Sequence, residues 1–75
     1  MIHFGNRLLL LRREKGLCQK DLAEYLHLSV SAISNYENGI NHPDLHTLCC
    51  IADYFGVSTD YLLGRTPYIF CTFFD

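Results

Sequence analysis

A very short connection between two amphipathic segments constrains the fold of this chain more than any other sequence feature. Only three residues, His27 to Ser29, separate a segment with Leu22 and Leu26 at i, i+4 spacing from a segment centred on Ile33. Ser29 is a favourable N-cap residue for the second segment, and Asn38-Gly39 ends it. Because so short a link forces two helices to cross sharply, the pattern predicts a helix-turn-helix unit.

Glycines divide the remaining sequence into further helical segments. Each follows the end of an apolar pattern with helical spacing, where glycine can close a helix at little cost. The pattern predicts an all-α, compact five-helix domain. The expected helices run from about Phe4 to Lys15, from after Cys18 to Leu26, from after Ser29 to about Glu37, from His42-Pro43-Asp44 to Phe55, and from a cap at Ser58 or Thr59 to Leu63. The expected apolar stripe of the fourth helix is Leu45, Leu48, Ile51, Ala52 and Phe55.

The length of the chain limits both its organisation and its chemistry. Its 75 residues suffice for one domain, 1–64, with a short apolar tail, 65–75, and leave no room for a deep enclosed active site. The longest aliphatic run, Leu8 to Leu11, is far shorter than the roughly 20 residues that span a bilayer. We therefore expect a cytoplasmic protein without membrane contact. No spaced nucleophile and base and no phosphate-binding glycine loop are recognisable, so we expect no enzyme activity.

The charged residues are distributed unevenly along the chain, whose net charge is −2. Residues 1–20 carry five Lys or Arg side chains against Glu14, whereas residues 21–75 carry Arg65 against seven acidic side chains. The basic N-terminal part is compatible with nucleic-acid binding, although the acidic remainder opposes it.

An ordered set of motifs resembles the Cro/phage-repressor-like, or XRE, family of helix-turn-helix regulators. The resemblance covers residues 5 to 64 almost without a gap, and it implies a lambda-repressor-like domain that binds double-stranded DNA. Most members of that family are transcriptional repressors that act as homodimers. The matching stretches are Arg7-Leu8, Leu11-Arg12, Gly16-Leu17, Gln19 to Ala23, Ala32 to Gly39, Pro43, Leu48, Ile51-Ala52, Phe55 to Ser58, and Asp60 to Gly64.

The third helix is the expected reading surface. If Ile33 is buried, the side chains that face outward are Val30, Ser31, Ser34 and Asn35, and the resemblance implies that these contact bases. Asn can pair with adenine in the major groove, and the absence of Arg and Lys from this helix suggests A·T pairs in the operator. A solvated polar helix face would have the same composition. The resemblance further implies phosphate contacts from Gln19, Lys20, Asn38, Asn41 and His42, and a structural salt bridge between Arg12 and Glu37.

Two residues at the ends of the second helix depart from the family pattern. Its C-terminal end normally has Gly, but this chain has His27, and its N-cap is usually Ser, Thr or Asn, but this chain has Cys18. A left-handed residue with a Cβ costs roughly 1 kcal/mol, and a thiol is a poor cap acceptor. Both departures predict a marginal second helix.

The apolar tail suggests an interface. A solvent-exposed run of this kind would promote aggregation, so we expect it to be covered. It could pair with a second copy as a strand or in another conformation, fold back on its own domain, or bind another protein. We favour a homodimer, although an antitoxin-like or anti-repressor module that binds a partner protein is the alternative function. The expected interface residues are Tyr61, Tyr68, Ile69, Phe70, Phe73 and Phe74.

Histidines and cysteines in the fourth helix raise the question of a metal site. His42, His46 and Cys49 or Cys50 have i, i+4, i+7/8 spacing, which Zn²⁺ could use on a continuous helix. His42 precedes Pro43, however, and residues before proline disfavour the helical conformation. We therefore expect no metal and no cofactor. We also expect a partly buried Cys49, a surface-exposed Cys50, and free thiols rather than disulfides.

Overall fold

The computed structural model describes residues 3–69, and these residues form five helices. They occur in the order expected from the sequence, and the described residues contain no strand. The helices are α1 (Phe4–Glu14), α2 (Gln19–Leu26), α3 (Val30–Glu37), α4 (Leu45–Phe55) and α5 (Thr59–Leu62). None of the helices in this part of the chain is long and apolar enough to cross a membrane.

Each helix contributes one large, fully buried side chain to a single core. These side chains are surrounded by further buried residues, among them Phe4, Ala23 and Phe55. Because every helix depends on the same cluster, truncating any of the five to Ala would cost about 2–5 kcal/mol. The five are Leu8, Leu22, Ile33, Ile51 and Leu62, in the order of the helices.

The start of α4 differs from the sequence expectation. The helix begins at Leu45 rather than at His42-Pro43, because the Asp44 carboxylate accepts the Thr47 N–H at 2.8 Å and acts as the N-cap. Leu45 is 81% exposed and therefore does not belong to the apolar stripe that was expected to include it. The stripe begins at Leu48, which packs against the core.

The exposures of the two adjacent cysteines of α4 are the reverse of the sequence expectation. Cys50 is half-buried, because it lines a groove between the end of α2 and α4, whereas Cys49 is exposed.

The ends of α2 show how its two unusual residues are accommodated. His27 adopts the left-handed conformation, with φ 57° and ψ 41°, as expected for a residue in the position of the usual glycine. At the other end, the Asp21 carboxylate accepts the Cys18 N–H at 3.0 Å and lies 3.1 Å from the Cys18 thiol. Asp21 thus compensates in part for the poor cap that the sequence predicts.

Helices α1 and α3 approach each other very closely at Gly5. A Cβ atom at this position would lie 2.5 Å from the Tyr36 carbonyl oxygen and 2.6 Å from that of Glu37. Real Cβ atoms essentially never come within 3.0 Å of a heavy atom from another part of the chain. Glycine is therefore required at position 5 for the last turn of α3 to pack against the first turn of α1.

The described part of the tail folds back onto the domain. The Ser58 N–H donates to the Ile69 carbonyl oxygen at 2.6 Å, and the Ser58 hydroxyl lies 3.5 Å from the Tyr68 carbonyl oxygen. Residues 66–69 form no strand, so the possible strand finds no support in the described part of the tail. Three of the expected interface residues, Phe70, Phe73 and Phe74, lie outside the described residues.

Candidate nucleic-acid interface

The turn between α2 and α3 is fixed by hydrogen bonds at both of its ends. At the end of α2, the Leu28 N–H donates to the Ala23 carbonyl oxygen at 2.9 Å. At the start of α3, the Ser29 hydroxyl accepts the Ala32 N–H at 3.1 Å and caps the helix. These contacts and the buried Ile33 together determine which face of α3 points outward.

The outward face of α3 carries the four side chains that the sequence analysis assigned to base contacts. Val30 is 45% exposed, Ser31 is exposed, and Ser34 and Asn35 are half-buried. The Asn38 amide donates to the Ser34 hydroxyl at 3.3 Å, which leaves the hydroxyl hydrogen of Ser34 available to an external acceptor. The face thus offers one apolar group and several hydrogen-bonding groups, but no charge.

A network of three polar side chains joins α1, α2 and α3. Arg12 Nε donates to Glu37 Oε2 at 2.6 Å and Arg12 Nη2 donates to Glu37 Oε1 at 3.1 Å, so the structure contains the ion pair that the resemblance implies. Arg12 Nη1 also donates to the Leu17 carbonyl oxygen at 2.9 Å, and Gln19 Nε2 donates to Glu37 Oε1 at 3.0 Å. Only 12% of the Arg12 side chain and 6% of the Glu37 side chain are exposed.

Because little of either side chain is exposed, the Glu37 carboxylate stabilises the charged form of Arg12. The hydrogen bond from Arg12 to Glu37 raises the pKa of the guanidinium above its ordinary value, and partial desolvation opposes this effect.

Gln19 has a structural contact with Glu37 that the sequence did not reveal. Its amide nitrogen carries a second hydrogen, which this contact does not use.

The remaining expected phosphate contacts lie at the start of α2 and in the loop before α4. Lys20 is exposed in the first turn of α2, and Asn38, Asn41 and His42 are exposed around the loop. The structure places Asn38 and His42 along one cleft between the start of α1 and the end of α3.

The same cleft also contains two residues that no sequence motif indicated. His3 and Asn6, from the start of α1, lie along it together with Asn38 and His42. No spacing pattern connects residues 3 and 6 with residues 38 and 42, because their proximity depends on the packing of α1 against α3. The cleft thus presents several hydrogen-bonding side chains beside the end of the reading helix.

A sequence model of the helix-turn-helix family matches residues 8–62. Among curated proteins, the transcriptional regulator ImmR of Bacillus subtilis is 43% identical over 61 residues, which are 81% of this chain and 48% of ImmR. The transcriptional activator BcrR of Enterococcus faecalis is 42% identical over 63 residues, 84% of this chain and 31% of BcrR. The chain thus spans less than half the length of either relative.

Solved structures share the same arrangement of helices. The P22 c2 repressor, crystallised in complex with a synthetic operator, matches with a TM-score of 0.82 at 26% identity, over 88% of this chain and all of that chain. A transcriptional regulator from Listeria innocua matches with a TM-score of 0.81 at 31% identity, over 92% of this chain and 66% of that chain. The fold is therefore the lambda-repressor-like one, and the chain belongs to the Cro/phage-repressor-like (XRE) family of helix-turn-helix proteins, which are DNA-binding transcriptional regulators and not enzymes.

Proposed function

We propose that this protein binds specific sites on double-stranded DNA as a homodimer, with α3 in the major groove, and represses transcription by occupying those sites. The observation that carries the proposal is the orientation of α3. Its buried side is held by Ile33, and its outward side presents Val30, Ser31, Ser34 and Asn35. A major groove about 12 Å wide admits an α-helix with side chains of this size.

The side chains of α3 favour A·T pairs. Asn35 can bond adenine N6 and N7, the serine hydroxyls can donate or accept, and Val30 can contact a thymine methyl group. The usual bidentate contact to guanine requires Arg or Lys, and α3 has neither. We therefore expect an operator with A·T pairs beneath Asn35.

Phosphate contacts would orient α3 in the groove. The first-turn N–H groups of α2 favour an anion, and Lys20 and the free amide hydrogen of Gln19 lie at the same helix end. Asn38, Asn41 and His42 would bind the backbone on the far side of α3. Because Lys20 is the only lysine or arginine in this set, ionic phosphate contacts are few.

The proposed dimer would use Tyr61, Tyr68 and Ile69, together with Phe70, Phe73 and Phe74 outside the described residues. Tyr68 is 64% exposed and Ile69 is 43% exposed, so both offer apolar surface to a second copy. Tyr61 is half-buried beneath the Arg7 guanidinium, whose carbon lies 3.9 Å from the ring centroid. A two-fold dimer on adjacent half-sites would hold its two reading helices about 34 Å apart.

Repression is the simpler regulatory outcome. Occupying a promoter requires only the DNA interface, whereas activation requires an additional contact with the transcription machinery. The P22 c2 structure is that of a repressor, although BcrR is named an activator.

A selection from random DNA duplexes at two salt concentrations would test the proposal, with the mass of the free protein measured in solution. We expect an enriched palindrome with half-sites about ten base pairs apart. Asn35→Ala should abolish the enrichment at an unchanged thermal midpoint, and Glu24→Ala, at an exposed position of α2, should leave the enrichment intact. No enrichment from a folded wild-type protein would contradict DNA recognition, and a monomeric mass on and off the DNA would contradict the dimer.

A second candidate function is the binding of a partner protein through the tail. The exposed Tyr68 and Ile69 and the excess of acidic residues after position 20 favour it. Truncation after Gly64 distinguishes the two functions. A module of this kind would lose its partner but would show no operator before or after truncation, whereas the proposed regulator would retain half-site binding and lose cooperativity.

A further inference from the structure

Three side chains form a stripe along the side of α1 that lies next to α5. Arg7, Leu10 and Glu14 are spaced at i, i+3 and i+7, so they share one face of the helix. Leu10 is 47% exposed and Glu14 is exposed, whereas Arg7 is half-buried. Arg12, which binds Glu37 of α3, lies about 140° further round the helix, so the stripe and α3 are on different sides of α1.

The Arg7 guanidinium is held by an aromatic ring but has no carboxylate beside it. Its carbon lies 3.9 Å from the centroid of the Tyr61 ring in α5. Within residues 3–69, Arg7 forms no ion pair, and its buried Nε has no hydrogen-bond partner. A cation–π contact does not use up the N–H donors of a guanidinium, so an incoming carboxylate can bind Arg7 while Tyr61 stays in place.

The other end of the stripe borders the surface proposed for the dimer. Glu14, Tyr61 and Ile69 line one groove at the end of α1. In the part of the chain that the structure describes, Glu14 also forms no ion pair. Because Tyr61 and Ile69 belong to the proposed dimer surface, the stripe extends that surface onto α1.

We propose that this stripe pairs with the same stripe of a second copy, with the two α1 helices antiparallel across a two-fold axis. The inference rests on the homodimer proposed above and names the contacts that hold it together. Positions 7 and 14 are equally distant from the midpoint of the stripe, so an axis at that midpoint places Arg7 opposite the partner's Glu14, and Glu14 opposite the partner's Arg7. The axis passes beside Leu10, so the two Leu10 side chains meet.

The distribution of charge indicates a second copy as the occupant of this face. A two-fold interface requires a surface that is complementary to itself. A stripe with opposite charges at its two ends meets this condition when the helices are antiparallel, whereas a parallel pair in register would set like charges against each other. The i, i+3, i+7 spacing is also that of the seam residues of coiled coils. Helices packed in this way lie about 8–10 Å apart, a distance that an Arg and a Glu side chain span together.

Sedimentation of the full chain without DNA, over a range of concentrations, measures the dissociation constant of the dimer. Glu14→Arg is the first variant, because a cation near the C-terminal end of α1 is favoured by the helix dipole and does not endanger the fold. It sets Arg against Arg at both ends of the paired stripes, so the dissociation constant should rise at least about tenfold. Arg7→Glu should have a similar effect. The double variant Arg7→Glu/Glu14→Arg re-forms both pairs with reversed signs and should return to within about threefold of the wild type.

Matched controls separate pairing from net charge. Glu24→Arg makes the same charge change as Glu14→Arg at an exposed position of α2, and Arg13→Glu makes the same change as Arg7→Glu at an exposed position on another side of α1. Both should leave the dissociation constant unchanged. Leu10→Asp, which leaves Arg7 and Tyr61 in place, should weaken the dimer because it sets two carboxylates beside the axis.

The outcomes distinguish this pairing from the homodimer itself. Equal effects of the variants and their controls, or no recovery in a double variant that circular dichroism shows to be folded, would overturn the antiparallel pairing. A wild-type dimer that Glu14→Arg and Leu10→Asp leave intact would also overturn it, but would leave the proposed homodimer standing. A wild type that is monomeric at every concentration would refute both, and the operator selection would then judge DNA recognition separately.

Discussion

Replacing Gly5 by Ala should destabilise the protein even though alanine is the better helix former. A Cβ atom at position 5 would meet two carbonyl oxygens of α3, at 2.5 and 2.6 Å, and the Glu37 carbonyl carbon at 2.9 Å. Since all three are backbone atoms, α1 and α3 must move apart, and overpacking of this kind costs about 1–3 kcal/mol. We take about 2–3 kcal/mol, because no flexible side chain can yield.

The gain in helix propensity offsets only part of this cost. Alanine is favoured over glycine in a helix by about 1 kcal/mol, so the net loss is about 1–2 kcal/mol. For a domain of this size, 1 kcal/mol corresponds to roughly 4–8 °C in the thermal midpoint. We therefore expect the midpoint of Gly5→Ala to fall by roughly 4–16 °C.

Thermal unfolding followed by circular dichroism measures the effect directly. Asn6→Ala is the matched control, because residue 6 is exposed in the same turn of α1 and the substitution changes mainly helix propensity. Its midpoint should be equal to or higher than that of the wild type. A midpoint of Gly5→Ala at or above that of the wild type would refute the close approach of α1 to α3.

Further predictions concern the polar network, acid stability and salt dependence. Glu37→Ala should cost about 3–5 kcal/mol in denaturant unfolding, because it leaves the partly buried Arg12 charge without its ion-pair partner, and an unchanged midpoint would contradict this role. The pKa of Asp21 is lowered by hydrogen bonds from the Cys18 thiol and N–H, and that of Asp44 by the Thr47 N–H. Both carboxylates have an ordinary pKa of 3.8, so their stabilisation is present above that pH and is lost as the pH falls through their lower folded-state values. Stability measured between pH 2 and 7 should therefore fall below about pH 4, and less steeply in Asp44→Asn, which keeps a cap acceptor without the charge. The log–log salt dependence of operator binding by the dimer should have a slope nearer about −3 than −8, since few cationic side chains face phosphates, and a steep slope would reveal missing contacts.

The ends of the helices were predictable where a local signal determines them. Ser29 and Ser58 cap α3 and α5 in the structure, and His27 adopts the left-handed conformation required at its position. These features depend on a few adjacent residues. The start of α4 was less predictable, because Asp44 could act either as a first-turn residue or as the N-cap, and the sequence alone favoured the former.

Features that depend on the crossing of distant helices were not predictable in the same way. The need for glycine at position 5 could not be predicted, because the carbonyl oxygens that exclude a side chain there belong to residues 36 and 37, which are distant in the sequence. The contact of Gln19 with Glu37 also depends on how the helices pack. The resemblance implied a phosphate contact for Gln19 and an ion pair with Arg12 for Glu37, but no contact between the two. Local pattern thus predicted the elements of the site, and only the assembled helices revealed which side chains share a surface.

The two sides of α3 have a consequence for how proteins of this kind diversify. Helix α3 has only eight residues. One face of it binds the neighbouring helices through Ile33 and Glu37, and the other face carries side chains that do not belong to the core. Substitutions at Val30, Ser31 or Asn35 therefore change the chemistry offered to a ligand at nearly constant stability. If α3 contacts DNA as proposed, duplicated copies of such a gene can acquire separate targets through a few single mutations, because the core cluster does not include these positions.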